Sequence, residues 1–594
     1  MKSLITLHES IVRNAGMLVG TDVERDLLTI ASRFRDEGES FLTITLPAFC
    51  RGFERALADG RSLPCLYPGF GSRLGLPAFL RGFLELIFDS RTGCILAQPS
   101  TAAIQAVRQV TLVFSRLFEV CDSRREKATL DGFVECERTL ETHPQDLMDE
   151  LSTVLPRYVG QSLSDIDAAV WRGELLCSHG PGVTADRITG NRKFDIRRWT
   201  ARLDEWFPCA DHCVPSYGYF DQLTQIQWDE PGTEIPVKVT SVPKTAAKAR
   251  IIAIEPTHMQ YAQQGLLRLF AHEFSGRAPF VDLSDQEPNQ ELARQGSMNG
   301  GIATIDLSEA SDRVTLQLVR AVFHRYPHLL GALEACRSTQ ARLPWGQIID
   351  LRKFASMGSA VCFPVESLCF LAVVLHAMEM TANAAGWSRS RVKRLLTRLR
   401  VFGDDIAVPA PIVPACLHVL TSLGMRVNAT KSFWNGHFRE SCGREYFAGD
   451  DVTVARLRKR LPSDRRNAVE VAGLVSFRNH LYSRGYWGTC WQIDEWIGSN
   501  IGPLPIVEQT SSLLGRYSVC FTEPIQRWHP DYQTPLVRGM YIWGQPPRSK
   551  VGTLGKLMKC LTPLKVVPFE DARHLQRYGR PHTVHIKCGW RSPA

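Results

Sequence analysis

The strongest chemical feature of this 594-residue chain is a pair of adjacent carboxylates, Asp404 and Asp405, behind Gly403. Leu399, Val401 and Phe402 precede them, and Ile406, Ala407 and Val408 follow. That pattern predicts two short strands joined by a tight turn in which Gly403 takes a positive φ. Carboxylates so close repel and raise each other's proton affinity unless a cation compensates, and Mg²⁺, a hard ion, takes oxygen ligands of this kind. A second carboxylate stands at the end of Gly301-Ile302-Ala303-Thr304-Ile305-Asp306, an apolar run that predicts a buried strand closing on Asp306. Ser308 or Ser311 is expected to cap the helical pattern that follows, Val314 to Phe323. Carboxylates at the ends of adjacent strands can share the same ions, and two ions about 4 Å apart stabilise both the attacking and the leaving oxygens of phosphoryl transfer. Asp306 is therefore expected beside the Gly403 turn.

Cations flank these carboxylates along the chain. Ile235 to Val242 alternates as a strand, Ile251 to Ile254 returns as a second, and the loop between them carries Lys244, Lys248 and Arg250. Three cations at one hairpin tip suit a triphosphate, the alternative being a solvated turn. Met357-Gly358-Ser359-Ala360 is a small-residue loop able to approach a sugar closely, and Pro364 suits the first turn of a helix reaching Ala384. The apolar stretch Phe363–Met380 holds Glu366, His376 and Glu379, which predicts a core helix rather than a membrane span. A helix from Val413 to Leu423 closed by Gly424, then a strand at Met425 to Val427, brings Lys431 within reach of a departing pyrophosphate, unless that lysine is simply solvated.

These motifs must be positioned by a large protein, since 594 residues exceed single-core size and predict several subdomains. A hydrophobic fraction of 44% and a charged fraction of 22% are ordinary for a globular chain. Residues 1–20 include Glu9 and Arg13 and no apolar run of signal-peptide length, so a cytoplasmic location is expected. The 17 cysteines are scattered and expected reduced; Cys209, His212 and Cys213 cluster, but no second pair stands at finger spacing. Residues 1–230 read as helices broken by Gly and Pro, for example Phe79 to Phe88 and Ala102 to Val120, with a turn-rich loop from His179 to Phe194. The basic excess is C-terminal: residues 456–594 hold 21 Lys and Arg against 9 Asp and Glu, a net of +12, which leaves −3 for residues 1–455. Aromatics interleave there, Tyr486, Trp487, Trp491, Trp496, Trp528, Tyr532, Tyr541 and Trp543. With Arg573, Arg577 and Arg580 they predict a surface for single-stranded nucleic acid, or else a solvated basic face over an aromatic core.

The ordered set of basic hairpin, Asp306, Gly358 loop with its helix, Gly403 hairpin and Lys431 resembles the successive motifs of viral RNA-directed RNA polymerases. More closely, it is similar to the replicase β subunits of the single-stranded RNA bacteriophages. The strings that carry this are Val242-Pro243-Lys244, Ile252-Ala253-Ile254-Glu255-Pro256, Ala303-Thr304-Ile305-Asp306-Leu307-Ser308, Glu366-Ser367-Leu368 and Phe438-Arg439-Glu440-Ser441-Cys442-Gly443, with His179-Gly180-Pro181-Gly182. The resemblance implies an α+β right-hand fold with an antiparallel-sheet palm. Residues 1–235 would form the N-terminal region and part of the fingers, 236–455 the palm with fingers elements, and 456–594 the thumb and basic C-terminal region. It implies that Asp306 and Asp404 hold two Mg²⁺ ions, with Mn²⁺ as a substitute, while Asp405 assists. Lys244, Lys248 and Arg250 would hold the incoming ribonucleoside triphosphate, Asp312, Gly358 and Ser359 would lie near the ribose, and Lys431 would protonate pyrophosphate. Its implied partners are single-stranded RNA template and product, host elongation factors Tu and Ts, and a host ribosomal protein, in the bacterial cytoplasm and without a membrane. The chain departs from the family pattern at Ser359, where Asn is usual, and at Cys362, where Thr is usual. Reverse transcriptases also use paired palm aspartates, but no nuclease or integrase segment is evident here; in a non-catalytic RNA-binding protein the basic C-terminus would be the function.

Overall fold

The N-terminal residues fold almost wholly as helices because their apolar side chains recur at helical spacing between glycine stops. The computed structural model describes the chain apart from residues 1–2, 74, 118–120, 181, 277–279, 503, 546–550 and 562–582. Three helices matter for the site: α1 (Leu46–Asp59), α2 (Thr101–Leu112) and α3 (Ser123–Arg138). The helix expected over Phe79 to Phe88 shrinks to Arg81–Leu84: Leu80, left-handed at φ 56°, bounds it at one end, and at the other the chain turns so that Phe88 bridges to Ile95. The one expected over Ala102 to Val120 stops at Leu112, and its last three residues lie outside the described ones.

Strands β1 (Val237–Val242), β2 (Arg250–Ile254), β3 (Ile302–Ile305), β4 (Gln340–Arg342), β5 (Ile348–Asp350), β6 (Arg400–Phe402) and β7 (Asp405–Pro409) build two sheets. The first has the order β5-β4-β1-β2, antiparallel except where β1 and β4 run parallel. Alternation decides its faces: Val237, Val239, Ala253, Ala341 and Leu343 pack on Leu130 and Phe133 of α3, and the other face is left open. The second sheet, antiparallel β6-β7-β3, is packed between helices α4 (Glu287–Asn299) and α5 (Cys362–Ala384). Helix α5 is apolar all round and is long and apolar enough to cross a membrane, yet 89% of that apolar window is buried inside the protein, in agreement with the expected core helix. Neither Ser308 nor Ser311 caps a helix. Ser308 is drawn into a two-residue pairing with Arg426, Ser311 lies inside the short turn Ala310–Arg313, and the Thr315 hydroxyl caps Leu316–Phe323 instead. Helix α6 (Val413–Ser422) ends before Gly424 at φ 67°, as expected.

Strands β8 (Phe438–Ser441) and β9 (Arg444–Phe447) form a hairpin packed on α4, and helices α7 (Ala468–Ser483) and α8 (Trp487–Asn500) follow. The C-terminal strands β10 (Pro535–Gln545) and β11 (Thr583–Arg591) pair antiparallel over nine residues. Of the C-terminal aromatics, Tyr486 is core, Trp487 and Trp491 are exposed, and Trp543 lies under the Lys587 ammonium at 3.6 Å. Arg573, Arg577 and Arg580 lie outside the described residues. Helix α9 (Thr553–Leu561) returns to the turn at Gly190–Phe194, where Lys559 Nζ donates to Asn191 Oδ1 at 2.9 Å.

Candidate active site

Register brings the three aspartates together. Strands β3 and β7 pair with Ile305 opposite Ile406, so Asp306, the next residue on one strand, faces Asp405 on the other. Phe402 pairs with Asp405, leaving Gly403 and Asp404 as a two-residue turn. Gly403 takes φ 61°, and a Cβ there would stand 2.6 Å from Phe363 Cε2 of α5, so both conformation and space require glycine. Its N–H donates to Ser367 Oγ of α5 at 3.0 Å, which fixes the turn to the core helix. Asp404 is thereby exposed at the tip, above the partly buried Asp306 and Asp405.

The crowding shows in the electrostatics. Burial, reinforced by the Asp404 charge, pushes Asp405 up to about 7 despite the Cys442 N–H that its Oδ1 accepts at 3.1 Å. Burial pushes Asp306 up to about 6; Lys431 opposes this, Asp404 adds to it, and the Asn428 amide, 2.7 Å from Oδ2, again opposes it. Lys431 Nζ lies 3.8 Å from Asp306 Oδ1 and 3.6 Å from Glu440 Oε1, and the Glu440 carboxylate, working against burial, holds the ammonium above its ordinary range. Acidic oxygens in excess of nearby cations are the donor chemistry that Mg²⁺ prefers. Among the described residues no three His, Cys, Asp or Glu side chains are already drawn together as a ligand set, Cys209, His212 and Cys213 included. At the aspartates, Asn428, Lys431 and the Cys442 amide occupy carboxylate oxygens that a metal would take.

The remaining sequence-predicted residues divide into two groups. Lys244 belongs to the site: burial, then Arg250 and Lys431, push its ammonium down, while Asp306 and Asp404 hold it up. Lys248 pairs with Glu309 at 3.6 Å, and Arg250 opens β2. Asp312 is tied to Lys353, whose fully buried Nζ lies 2.9 Å from its Oδ1. Gly358, at φ 134°, lets its loop press on β2, where a Cβ would meet Ala253 O at 2.0 Å. Ser359 is buried, lining a small internal cavity with Glu255, Arg337 and Ser356, and among the described residues its Oγ has no hydrogen-bond partner. Sequence reasoning gave no role to Asn428, Glu440, the Cys442 amide or Glu366. The Glu366 carboxyl is buried beside Gly403 with Oε2 unpartnered among the described residues, and burial and Asp404 push it well above the usual range. The signal for Glu440 and Cys442 was their shared string, Phe438 to Gly443, though nothing in it marks the fold that delivers them.

Residues 228–469 match the family described as RNA replicase, beta-chain. The RNA-directed RNA polymerase subunit beta of Escherichia virus Qbeta is 34% identical over 252 residues, 42% of this chain and 38% of that one. The RNA-directed RNA polymerase beta chain of Escherichia phage MS2 is 34% identical over 221 residues, 37% of each chain. The chain thus spans less than two fifths of the length of these curated relatives. A solved RNA-dependent RNA polymerase of a human picorbirnavirus is similar at 11% identity and a TM-score of 0.38, over 62% of this chain and 73% of that one, a likeness that adds nothing to the sequence match. Asp306, Asp404, Asp405, Lys431 and Lys244 all fall inside residues 228–469, the stretch that is similar to the RNA replicase, beta-chain family.

Proposed function

We propose that this chain is an RNA-directed RNA polymerase replicating a single-stranded RNA phage genome from ribonucleoside triphosphates, with primer-independent initiation. The observation that carries the reading is the β3–β7 register, which sets Asp306 against the Gly403 hairpin carboxylates inside the family-matched segment. On this reading residues 236–455 are the palm with fingers elements, 1–235 the N-terminal region and part of the fingers, and 456–594 the thumb. Asp306 and Asp404 hold Mg²⁺, or Mn²⁺ in its place, and Asp405 supports them. When bound, the metal supplies activation of the 3′-hydroxyl and charge neutralisation at the pyrophosphate. Lys244, Lys248 and Arg250 hold the triphosphate, Asp312 and Gly358 border the ribose, and Ser359 acts at one remove, its hydroxyl being buried. Host elongation factors Tu and Ts and a ribosomal protein are the proposed partners, in the bacterial cytoplasm, and should co-purify from the host. The test is incorporation of labelled ribonucleotides on single-stranded RNA without a primer, with those host proteins supplied. RNA binding without incorporation would make the chain a binding protein, and a DNA product would make it a reverse transcriptase.

Two results should accompany that activity. Lys431→Ala should slow nucleotide addition and leave RNA affinity nearly unchanged, since a proton donor acts in the transition state. An unaltered rate would make Lys431 a counter-ion to Glu440 and no more. The second concerns pH. Asp306 and Asp405 titrate near 6 and 7, above the unfolded carboxylate range, so their protonated forms favour the folded state and that contribution is lost as pH rises through these values. Mg²⁺ occupancy offsets the repulsion only where the carboxylates are ionised, so the Mg²⁺-induced rise in Tm should be larger at pH 8 than at pH 6. A rise that is flat or reversed across this range would remove these carboxylates from the metal site.

A further inference from the structure

The open face of the β5-β4-β1-β2 sheet carries an arrangement that the aspartate site does not use. Lys238 of β1 and Arg342 of β4 are register partners in the parallel pairing, so two cations stand side by side on neighbouring strands about 4.8 Å apart. Val237, Val239, Ala341 and Leu343 alternate with them and are buried, which aims both cations to the opposite, exposed face. Like charges placed directly across a sheet destabilise it. Among the described residues no carboxylate lies within ion-pairing distance of either, or of Arg187, which lines the same cleft from the loop opposite. Arg187 holds φ 61°, a conformation that ordinarily goes to Gly or Asn. Asp186, also at the lip, accepts the Thr257 hydroxyl at 2.7 Å. Three cations from three chain segments, none with an ion-pair partner among the described residues and two in a mutually repulsive register, thus face one cleft with Asp186 at its lip.

Two further features favour a nucleic-acid strand. Lys238 and Lys244 are six residues apart along β1 and its extension, roughly 20 Å at the rise of an extended chain. The Lys244 end feels Asp306 and Asp404, so the cleft lies at the far end of the same strand, with the hairpin-tip cations between it and the aspartates. That placement is too remote for the triphosphate being joined. Beside the cations the same face offers Ile254, opposite Lys238, and Ile348, opposite Arg342, and the adjoining turn carries the exposed Trp345 indole, apolar surface on which bases can rest.

We propose that Arg187, Lys238 and Arg342 bind the phosphate backbone of a single-stranded RNA segment at the end of β1 remote from Lys244 and the aspartates. This rests on the polymerase reading for its purpose but is measured apart from it. The experiment is fluorescence anisotropy of a labelled single-stranded RNA with the full chain, without nucleotides, from 50 to 300 mM KCl. For Arg187→Gln/Lys238→Gln/Arg342→Gln, the log–log salt slope should fall by about 2, near 0.7 per phosphate lost, with affinity weakened at least about tenfold at the low-salt end. All three side chains are exposed; the single variants Lys238→Gln and Arg342→Gln, each expected to lower the slope by about 0.7, serve should the triple variant misfold. The KM for ribonucleoside triphosphate at saturating RNA should stay within about twofold. Unchanged slope and affinity would overturn the proposal. So would a raised KM with RNA binding intact, which would assign the cleft to triphosphate, or a loss confined to a polyglutamate competitor, which would assign it to an acidic protein. Absence of incorporation by the parent chain would defeat the polymerase reading and leave the binding result standing.

Discussion

Asp306→Asn or Asp404→Asn is expected to reduce Mg²⁺-dependent RNA synthesis by at least ~10²–10⁴-fold, the range seen when one strong transition-state stabiliser or proton carrier is removed. Asparagine preserves the size of aspartate and removes the charge that holds a divalent ion. At Asp306 it also disturbs a junction, since this carboxylate sits between Asn428 Nδ2 at 2.7 Å and Lys431 Nζ at 3.8 Å. Among the described residues Asp404 makes no such structural contact from its exposed tip, so its loss reads on chemistry most directly. Asp405→Asn should lose less, because its role is support. Stability separates these outcomes from unfolding: replacing a carboxylate held near 7 by a neutral group relieves buried repulsion, so Asp405→Asn should keep or raise Tm at pH 8 in the metal-free protein. RNA synthesis and thermal melts on the same preparations make the check. Near-normal synthesis by either of the first two variants would overturn the site.

The parts of this site legible in the sequence are those that depend on local pattern. Alternating apolar residues around Gly403 and the apolar run before Asp306 predict strands, and β3, β6 and β7 are those strands. Helix α5 closes at Ala384 and α6 ends before Gly424 because apolar length and a left-handed glycine are local signals. What pattern does not supply is pairing across distance. Asn428 and Cys442 reach the aspartates only because Lys431 and β8 fold back along β3, which no spacing encodes. Ser359 shows the same limit from the other side: a small-residue loop near a helix start suggests access to a sugar, whereas the hydroxyl is turned into an internal cavity with Glu255. The serine caps expected after Asp306 failed because strand pairing at Ser308 outcompetes a local side-chain bond, the usual way tertiary structure overrides propensity. Helix Phe79 to Phe88 failed at both ends: Leu80 is left-handed and donates its amide to the buried Asp26 at 2.7 Å, and past Leu84 the chain turns so that Phe88 bridges to Ile95.

The N-terminal helices, mute in the sequence as to function, are tied to the β8–β9 hairpin by a buried charge. Arg108 of α2 is fully buried; it lies 2.7 Å from Glu54 of α1 and 3.0 Å from Glu445 of β9, donates to Val452 O at 2.8 Å, and stacks over Phe438 of β8 at 4.9 Å. Arg456 also pairs with Glu445. Burial and neighbouring carboxylates push Glu54 up, whereas Glu445, with two cations, is held below the usual range despite burial. Breaking such a cluster by removing its cation costs about 3–5 kcal/mol, because the stranded carboxylates stay buried. Arg108→Met, close in volume, should therefore lose stability of that order at pH 8. The loss should shrink towards pH 5, since without the guanidinium both carboxylates titrate higher and take up protons as pH falls. Adding Glu54→Gln should recover part of it, by removing the carboxylate that Arg456 does not pair. The next residue along β8, Arg439, donates from Nε to Ile302 O at 2.7 Å, at the foot of the strand that ends in Asp306. Loosening β8 is thus expected to lower RNA synthesis as well as stability, although Arg108 touches no residue of the aspartate centre. Denaturant unfolding of the single and double variants at pH 5 and pH 8 decides it. A loss under about 1 kcal/mol, or one independent of pH, would make Arg108 a packing residue whose charge is compensated elsewhere.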